Sequence, residues 1–117
     1  MKTVLIFIII VLLTNIACRK SEIASDIPNC IYKEIAANKN NANWEIGSVE
    51  EYFFQNKLVY AFGPDGKIIA DASTGIKEAN CNLLCNIGGF GGPSVNLCNG
   101  ENFYQKAVYK RTIWKKK

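Results

Sequence analysis

The 117-residue chain contains no histidine. Histidine is the commonest general base near neutral pH and a common metal ligand, so its absence removes the simplest routes to acid–base catalysis and metal binding. No acidic residue follows Glu101, although six lysines and arginines do. Long apolar runs are also lacking, with a single exception near the N terminus. The length leaves room for one domain.

The exception is the apolar run at residues 4–13, which follows Lys2. Ten residues span about 15 Å as a helix, roughly half of a bilayer core, which is typical of a signal peptide. Ala17-Cys18 comes shortly afterwards. This segment resembles a bacterial lipoprotein signal, which implies cleavage before Cys18, a lipid on the Cys18 sulfur and acylation, for example by palmitate, of the new amino terminus. We therefore divide the chain into a signal peptide (1–17), a lipidated cysteine with a tether (18–26) and a domain (27–117).

Two alternatives remain for this segment: an ordinary secretory signal with Cys18 as a spare thiol, or an uncleaved membrane anchor. The resemblance further implies a position in the bacterial cell envelope. Because Arg19 rather than Asp follows the cysteine, it favours the outer membrane, on its periplasmic or surface-facing side.

Without Cys18, four cysteines remain: Cys30, Cys81, Cys85 and Cys98. An even number in an exported domain indicates two disulfides, with three possible connectivities. Cys81 and Cys85 would lie about 13 Å apart in an extended strand, too far to bond each other. We expect Cys30 to pair with one of them and Cys98 with the other. A four-cysteine zinc site is the alternative, which an oxidising compartment disfavours.

The remaining pattern predicts an α+β fold. Asp26 is a predicted helix N-cap, and Ile27, Ile31 and Ile35 form one apolar stripe. Residues 48–54 and 58–62 are rich in aromatic and β-branched side chains and predict a β-hairpin. We expect further strands at 67–71, at 81–86 and in the last part of 103–114, and a polar loop at 72–79. The helix should pack on one face of a small antiparallel meander.

A glycine-rich segment lies between the last cysteines: Gly88, Gly89, Phe90, Gly91 and Gly92. It lacks the Gly-Lys-Ser/Thr ending of a phosphate-binding loop. It is either a glycine-rich turn or an exposed binding loop with Phe90 at its tip. The basic C-terminal tail is either a solvated end or a contact for anionic lipid or polysaccharide.

The mature chain as a whole resembles a family of small, uncharacterised lipoproteins from Bacteroidetes-type bacteria. The resemblance is carried by Ile27-Pro28-x-Cys30, Val49-x-Glu51-Tyr52, Lys57-x-Val59-Tyr60-x-Phe62, Cys81-Asn82-x-x-Cys85-x-x-Gly88-Gly89-Phe90-x-Gly92, Cys98, Phe103 and Ile113-Trp114. It implies a location and a fold, and no activity.

These observations predict a lipid-anchored cell-envelope protein that is not an enzyme and needs no cofactor or metal. Its domain should be a binding or structural module, held to the membrane by the N-terminal lipid. The partner is an unidentified envelope protein or polysaccharide, and nucleic acid is excluded outside the cytoplasm. The alternative is a small inhibitor of an envelope-directed hydrolase, such as a protease or a lysozyme, since a loop held between disulfides is already ordered for binding.

Overall fold

The computed structural model describes residues 22–66, 72–89 and 93–117. The predicted signal peptide, the lipidation site Cys18, the predicted strand at 67–71 and the loop residues Phe90, Gly91 and Gly92 lie outside the described residues.

A single three-turn helix opens the described domain: α1, Asn29–Asn38. Its buried side chains are Ile31 and Ile35, as the apolar stripe predicts. The predicted N-cap is wrong, because Pro28 holds that position with an extended backbone (φ −55°, ψ 138°) and no side-chain cap. Asp26 instead has a positive φ of 60°. A residue before proline avoids the helical region, so Ile27 keeps Asp26 out of the helix.

Two long strands form the predicted hairpin: β1, Ile46–Phe54, and β2, Lys57–Pro64. Gln55 and Asn56 connect them, with φ values of 49° and 61°. Two central residues with positive φ are the signature of a type I′ turn, whose twist matches that of antiparallel strands. Val49 pairs with Phe62 across this hairpin and Tyr52 pairs with Val59.

The next two strands differ from the prediction. Strand β3, Thr74–Glu78, lies in the stretch expected to be a polar loop. It contains a single strongly apolar residue, Ile76, which is fully buried, so sequence alternation is too weak to reveal it. Strand β4, Leu83–Ile87, begins two residues later than predicted, because Cys81 has a φ of 69° and belongs to the preceding turn.

The C-terminal part adds a small second layer and a final long strand. A short 3-10 helix, Pro93–Asn96, leads into the two-residue strands β5, Leu97–Cys98, and β6, Glu101–Asn102. Helix α2, Phe103–Lys106, follows. Strand β7, Val108–Lys115, then pairs with β1. The described main sheet is antiparallel and has the order β4-β3-β2-β1-β7.

Strand alternation gives this sheet two apolar faces, so the core has three layers. We call the side covered by α1 the helix face; it buries Val49, Tyr60, Phe62, Ile113 and Trp114 against Ile31 and Ile35. We call the other side the hairpin face; it buries Phe54, Val59, Ala61, Ile76 and Ile87 against Cys98 and Phe103. The prediction of one helix on one face was thus correct but incomplete, because the β5–β6 hairpin and α2 cover the second face.

One disulfide fastens each outer layer. Cys30 of α1 bonds to Cys81 on the helix face, and Cys85 of β4 bonds to Cys98 of β5 on the hairpin face. The expected pairing, Cys30 with one of the central cysteines and Cys98 with the other, is confirmed. The structure selects one of the arrangements that the sequence left open.

The packed region begins before the predicted boundary at residue 27. The Ala24 amide donates a 2.9 Å hydrogen bond to the carbonyl of Ile113 in β7. Ile23, Ala24 and Ile27 pack against the helix-face core. The segment predicted as a flexible tether therefore includes residues that are fixed to the edge of the sheet.

Candidate functional site

A small pocket of about 210 Å³ opens on the hairpin face, beside the buried core. It lies between the sheet and α2, and we call it the hairpin-face pocket. Strands β1 to β4 and helix α2 supply its lining: Ser48, Glu50, Tyr52, Ala61, Gly63, Pro64, Thr74, Ile87, Phe103 and Tyr104. Ligand pockets usually measure roughly 300–1,000 Å³, so this one accommodates a single small group.

Strand alternation places the polar groups of this pocket. Glu50 and Tyr52 are two residues apart in β1 and therefore point to the same face, whereas Glu51 points to the opposite one. The cross-strand partner of Glu50 in β2 is Ala61. Because Ala61 is small and Gly63 has no side chain, they leave an open space on this face of the sheet beside the Glu50 carboxylate. The carboxylates of Glu50 and Glu51 lie on opposite faces of the sheet, as their adjacency in a strand predicts.

Glu50 and Tyr52 are coupled by a hydrogen bond. The Tyr52 hydroxyl donates to Glu50 Oε2 at 3.0 Å. Burial raises the pKa of Tyr52 to about 12, and the hydrogen bond to Glu50 and its negative charge act in the same direction. The phenol therefore stays protonated at neutral pH, which suits a fixed hydrogen-bond donor and not a base or nucleophile.

Aromatic rings surround the Glu50–Tyr52 pair. The ring of Phe103 contacts Tyr52 edge-on at a centroid distance of 5.1 Å, and Tyr109 does so at 5.7 Å. Tyr104 contacts Phe103 at 5.9 Å and is 59% exposed at the pocket rim. The tyrosine that holds the Glu50 carboxylate is thus packed among aromatic rings.

The charge of Glu50 has no counterpart among the described residues. Every other described acidic side chain that is not exposed forms an ion pair: Glu34 with Lys77, Glu51 with Arg111, Asp65 with Lys116 and Glu78 with Lys57. Glu50 is partly buried, and the Tyr52 hydroxyl is its hydrogen-bond partner. A carboxylate accepts hydrogen bonds at about four positions, so most of its capacity is open to a ligand.

The predicted glycine-rich loop begins at the edge of the pocket. Ile87 lines the pocket and pairs with Thr74, which also lines it. Gly88 and Gly89 follow with φ values of 84° and 83°, a conformation that favours glycine. The Gly88 amide donates to the carbonyl of Val95 at 3.0 Å and closes the loop at its base. The turn interpretation is supported for Gly88 and Gly89, while the predicted tip lies outside the described residues.

A larger hollow of about 600 Å³ lies at the end of the sheet where β7 finishes, between Gly47, Asp65 and residues 115–117. Its central cation is already engaged, since Lys116 Nζ lies 3.1 Å from Asp65 Oδ2 and donates to the carbonyl of Trp44 at 3.0 Å. The smaller hairpin-face pocket is the stronger candidate because no cation in the described part of the chain pairs with its carboxylate.

Sequence reasoning missed this pocket. Its polar lining residues Ser48, Glu50, Thr74 and Tyr104 come from separate parts of the chain, and no local sequence motif joins them. The period-2 pattern of β1 already places Glu50 and Tyr52 on one face, but the covering layer that makes the pocket could not be predicted.

Within the described residues no acidic and cysteine side chains gather into a metal-binding group. No helix in this part of the chain is long and apolar enough to cross a membrane.

The fold and its two disulfides define the class of protein. It is a small α+β domain in which each face of the sheet is covered by a separate layer, and each layer is held by one disulfide. The chain belongs to the family described as a domain of unknown function, DUF6970, which matches residues 33–116. The match runs from within α1 to just beyond the end of β7 and confirms membership of an uncharacterised family. No curated protein and no solved structure matches the chain.

Proposed function

We propose that this chain is a lipid-anchored protein of the bacterial cell envelope, and that its domain is a binding module that uses the hairpin-face pocket. The mature chain begins at Cys18, which carries the lipid on sulfur and an acyl group on its amino terminus. The outer membrane is the proposed destination. The two disulfides support export, because such bonds persist in oxidising compartments.

The observation that supports a module held close to the membrane is the hydrogen bond between Ala24 and Ile113. Ala24 lies six positions after Cys18, and an extended chain of six residues reaches roughly 20 Å. A lipid on Cys18 would therefore hold the end of β7 close to the bilayer surface. This position suits a module that acts at the membrane more than one that searches the periplasm on a long tether.

The charge at that end of the sheet agrees with a membrane-proximal position. Strand β7 finishes there with Lys115, followed by Lys116 and Lys117. Lys115 and Lys117 are exposed. Lysines near an anionic leaflet contribute about 1 kcal/mol each to membrane association. The anchor and the basic tail would thus act on the same side of the domain.

A binding role is favoured over catalysis by the chemistry of the pocket. Its phenol is held protonated by burial and by Glu50, and the four described cysteines are all disulfide-bonded. A tyrosine that acts as a nucleophile or a general base needs the opposite shift, a pKa lowered toward the working pH. We therefore propose a module that recognises an envelope component and does not transform it.

Intact mass spectrometry of the full chain from its native membrane tests the anchor. We expect a mass that begins at Cys18 with added acyl chains, and a rise of about 4 Da on reduction, one hydrogen for each of four sulfurs. The Cys18→Ser variant should leave the membrane fraction and keep both disulfides. An unacylated mature chain would contradict the anchor, and four free thiols in the native protein would contradict the disulfides.

Inhibition of an envelope-directed hydrolase is the second candidate. It is favoured by the loop after β4, which the Cys85–Cys98 bond and the Gly88–Val95 hydrogen bond close at its base. A closed loop loses less conformational freedom on binding. Assays of proteases and lysozymes with the purified chain separate the two roles. Stoichiometric inhibition that is lost when Phe90 is replaced by alanine would favour the inhibitor; inhibition of none of these enzymes would leave the binding module.

A further inference from the structure

We propose that the hairpin-face pocket binds a primary alkylammonium group, such as that of a lysine side chain, through an ion pair with Glu50. This inference rests on the proposed binding role of the pocket and specifies the chemistry of its ligand. It follows from the charge of Glu50, which no lysine or arginine of the described residues compensates, from the carboxylate oxygen that the Tyr52 hydroxyl leaves open, and from Tyr104 at the rim.

Charge complementarity is the first step. Four of the five described acidic side chains that are not exposed have a lysine or arginine partner. Glu50 differs because its neighbours across the sheet are Ala61 in β2 and Thr112 in β7, and neither carries a charge. Arg111 precedes Thr112 but contacts Glu51 on the other face. A neutral ligand over Glu50 can at best replace the hydrogen bonds of the displaced water, whereas a cation also compensates the charge.

The number of Glu50 carboxylate oxygens that remain free favours an ammonium group over a guanidinium group. Oε2 of Glu50 already accepts the Tyr52 hydroxyl at 3.0 Å. A guanidinium group binds a carboxylate best through both oxygens at once. An ammonium group is a compact charge with three donors, so it can use the remaining oxygen together with nearby hydroxyls. Ser48 and Thr74 supply such hydroxyls in the pocket lining.

Size and the aromatic rim agree with an ammonium group on a thin alkyl stem. The volume of about 210 Å³ is small for a whole cofactor. Tyr104 lies half-exposed at the entrance. Ring faces attract cations and also cover aliphatic stems, and at exposed sites this attraction changes affinity by a few-fold. The site is therefore suited to the end of one side chain inserted from solvent.

The test uses the full chain purified in detergent and n-butylammonium as the probe, followed by backbone NMR. We expect chemical-shift changes centred on Ser48, Glu50 and Thr74, and much smaller ones with n-butanol, its neutral analogue. Nα-acetyl-lysine methylamide should reproduce the n-butylammonium pattern, and its Nε-acetylated form should not. An equal response to n-butanol would overturn the ammonium assignment.

Variants make the assignment specific. Glu50→Gln keeps the shape of the side chain and should weaken n-butylammonium binding about tenfold or more. Glu45→Gln, which removes an exposed carboxylate outside the pocket, is the matched control and should change it less than about twofold. Tyr104→Ala should weaken binding about two- to fivefold. Unchanged binding in folded Glu50→Gln would overturn the proposal. Acylation of Cys18 is measured separately, so failure here leaves the anchor intact.

Discussion

Arg111 joins the N-terminal segment to a buried carboxylate. Its Nε lies 3.2 Å from Glu51 Oε1, and Glu51 is only 6% exposed. Its two terminal nitrogens donate to the carbonyls of Ser25 at 3.0 Å and Asp26 at 3.2 Å. The Tyr60 hydroxyl donates to the second oxygen of Glu51 at 3.0 Å. One guanidinium group thus compensates the buried charge and fixes the chain just before α1.

Replacement of Arg111 by methionine should therefore destabilise the domain strongly. The change leaves Glu51 buried without a cation, which costs about 3–5 kcal/mol in fully buried pairs. Because the Arg111 side chain is 38% exposed, we expect about 2–3 kcal/mol in urea unfolding. The double variant Arg111→Met with Glu51→Gln should lose less than the sum of the single changes. Additive losses would contradict direct coupling.

The same substitution should release the segment before α1. Hydrogen exchange of the Ala24 amide, which is bonded to Ile113, should accelerate more than that of the β1–β2 hairpin. As a control, Lys110→Met removes a neighbouring cation that lies over the Phe53 ring and should leave Ala24 protected. Equal exchange in both variants would show that Arg111 does not hold the segment.

The two disulfides should differ in their contribution to stability. Cys30–Cys81 spans 51 residues and Cys85–Cys98 spans 13, and the two loops follow each other without overlap. In the chain-entropy account the longer loop is worth about 4 kcal/mol and the shorter about 3 kcal/mol. Paired cysteine-to-alanine variants, compared by urea unfolding, should lose stability in that order. A larger loss from the shorter loop would indicate that packing of the fully buried Cys98 outweighs loop entropy.

Gly47 is required by a close backbone approach at the start of β1. A Cβ atom there would lie 2.8 Å from Asp65 Cα and 3.1 Å from the carbonyl oxygen of Pro64. Backbone atoms cannot rotate away, so Gly47→Ala should cost about 1–3 kcal/mol. Gly66→Ala is the control, since a Cβ atom there has no neighbour within 4 Å. Thermal unfolding should show a lowered Tm for the first variant only.

Strong local signals in the sequence predicted much of this fold. The isoleucine stripe predicted α1, and the dense aromatic and β-branched residues predicted the β1–β2 hairpin. Elements with few apolar residues could not be found in the same way. Strand β3 depends on Ile76 alone and is stabilised by pairing with β2 and β4. The layer of β5, β6 and α2 is held by Cys98 and Phe103, which only the folded chain brings onto the sheet.

The candidate site was less predictable than the fold, for a related reason. The alternation of side chains in β1 already places Glu50 and Glu51 on opposite faces of the sheet. This part of the site can therefore be predicted from the sequence. The rest of the site depends on non-local contacts. Thr74, Phe103 and Tyr104 line one pocket with Glu50 only when β3 is paired in the sheet and α2 covers it. That none of the described lysines and arginines pairs with Glu50 is also a property of the folded sheet, because a chain with fourteen such residues gives no indication of it.

Tyr52 and Tyr60 should make the domain sensitive to alkaline pH. Burial, followed by hydrogen bonds to Glu50 and Glu51 respectively, raises the pKa of each phenol from 10.0 to about 12. The folded state therefore binds these protons more tightly than the unfolded state. This contribution to stability is fully present below pH 10 and is lost as the pH rises through 12. The free energy of unfolding should thus fall between pH 10 and 12.

Single substitutions distinguish these two phenols. Tyr52→Phe and Tyr60→Phe should each remove one late-titrating group from the ultraviolet absorbance of phenolate in the folded protein. Each should also reduce the steepness with which stability falls above pH 10. Tyr32→Phe, at an exposed position of α1, is the control and should leave the late phase unchanged. If both pocket and core variants titrate like the parent chain, the carboxylate–phenol bonds to Glu50 and Glu51 are not formed in solution.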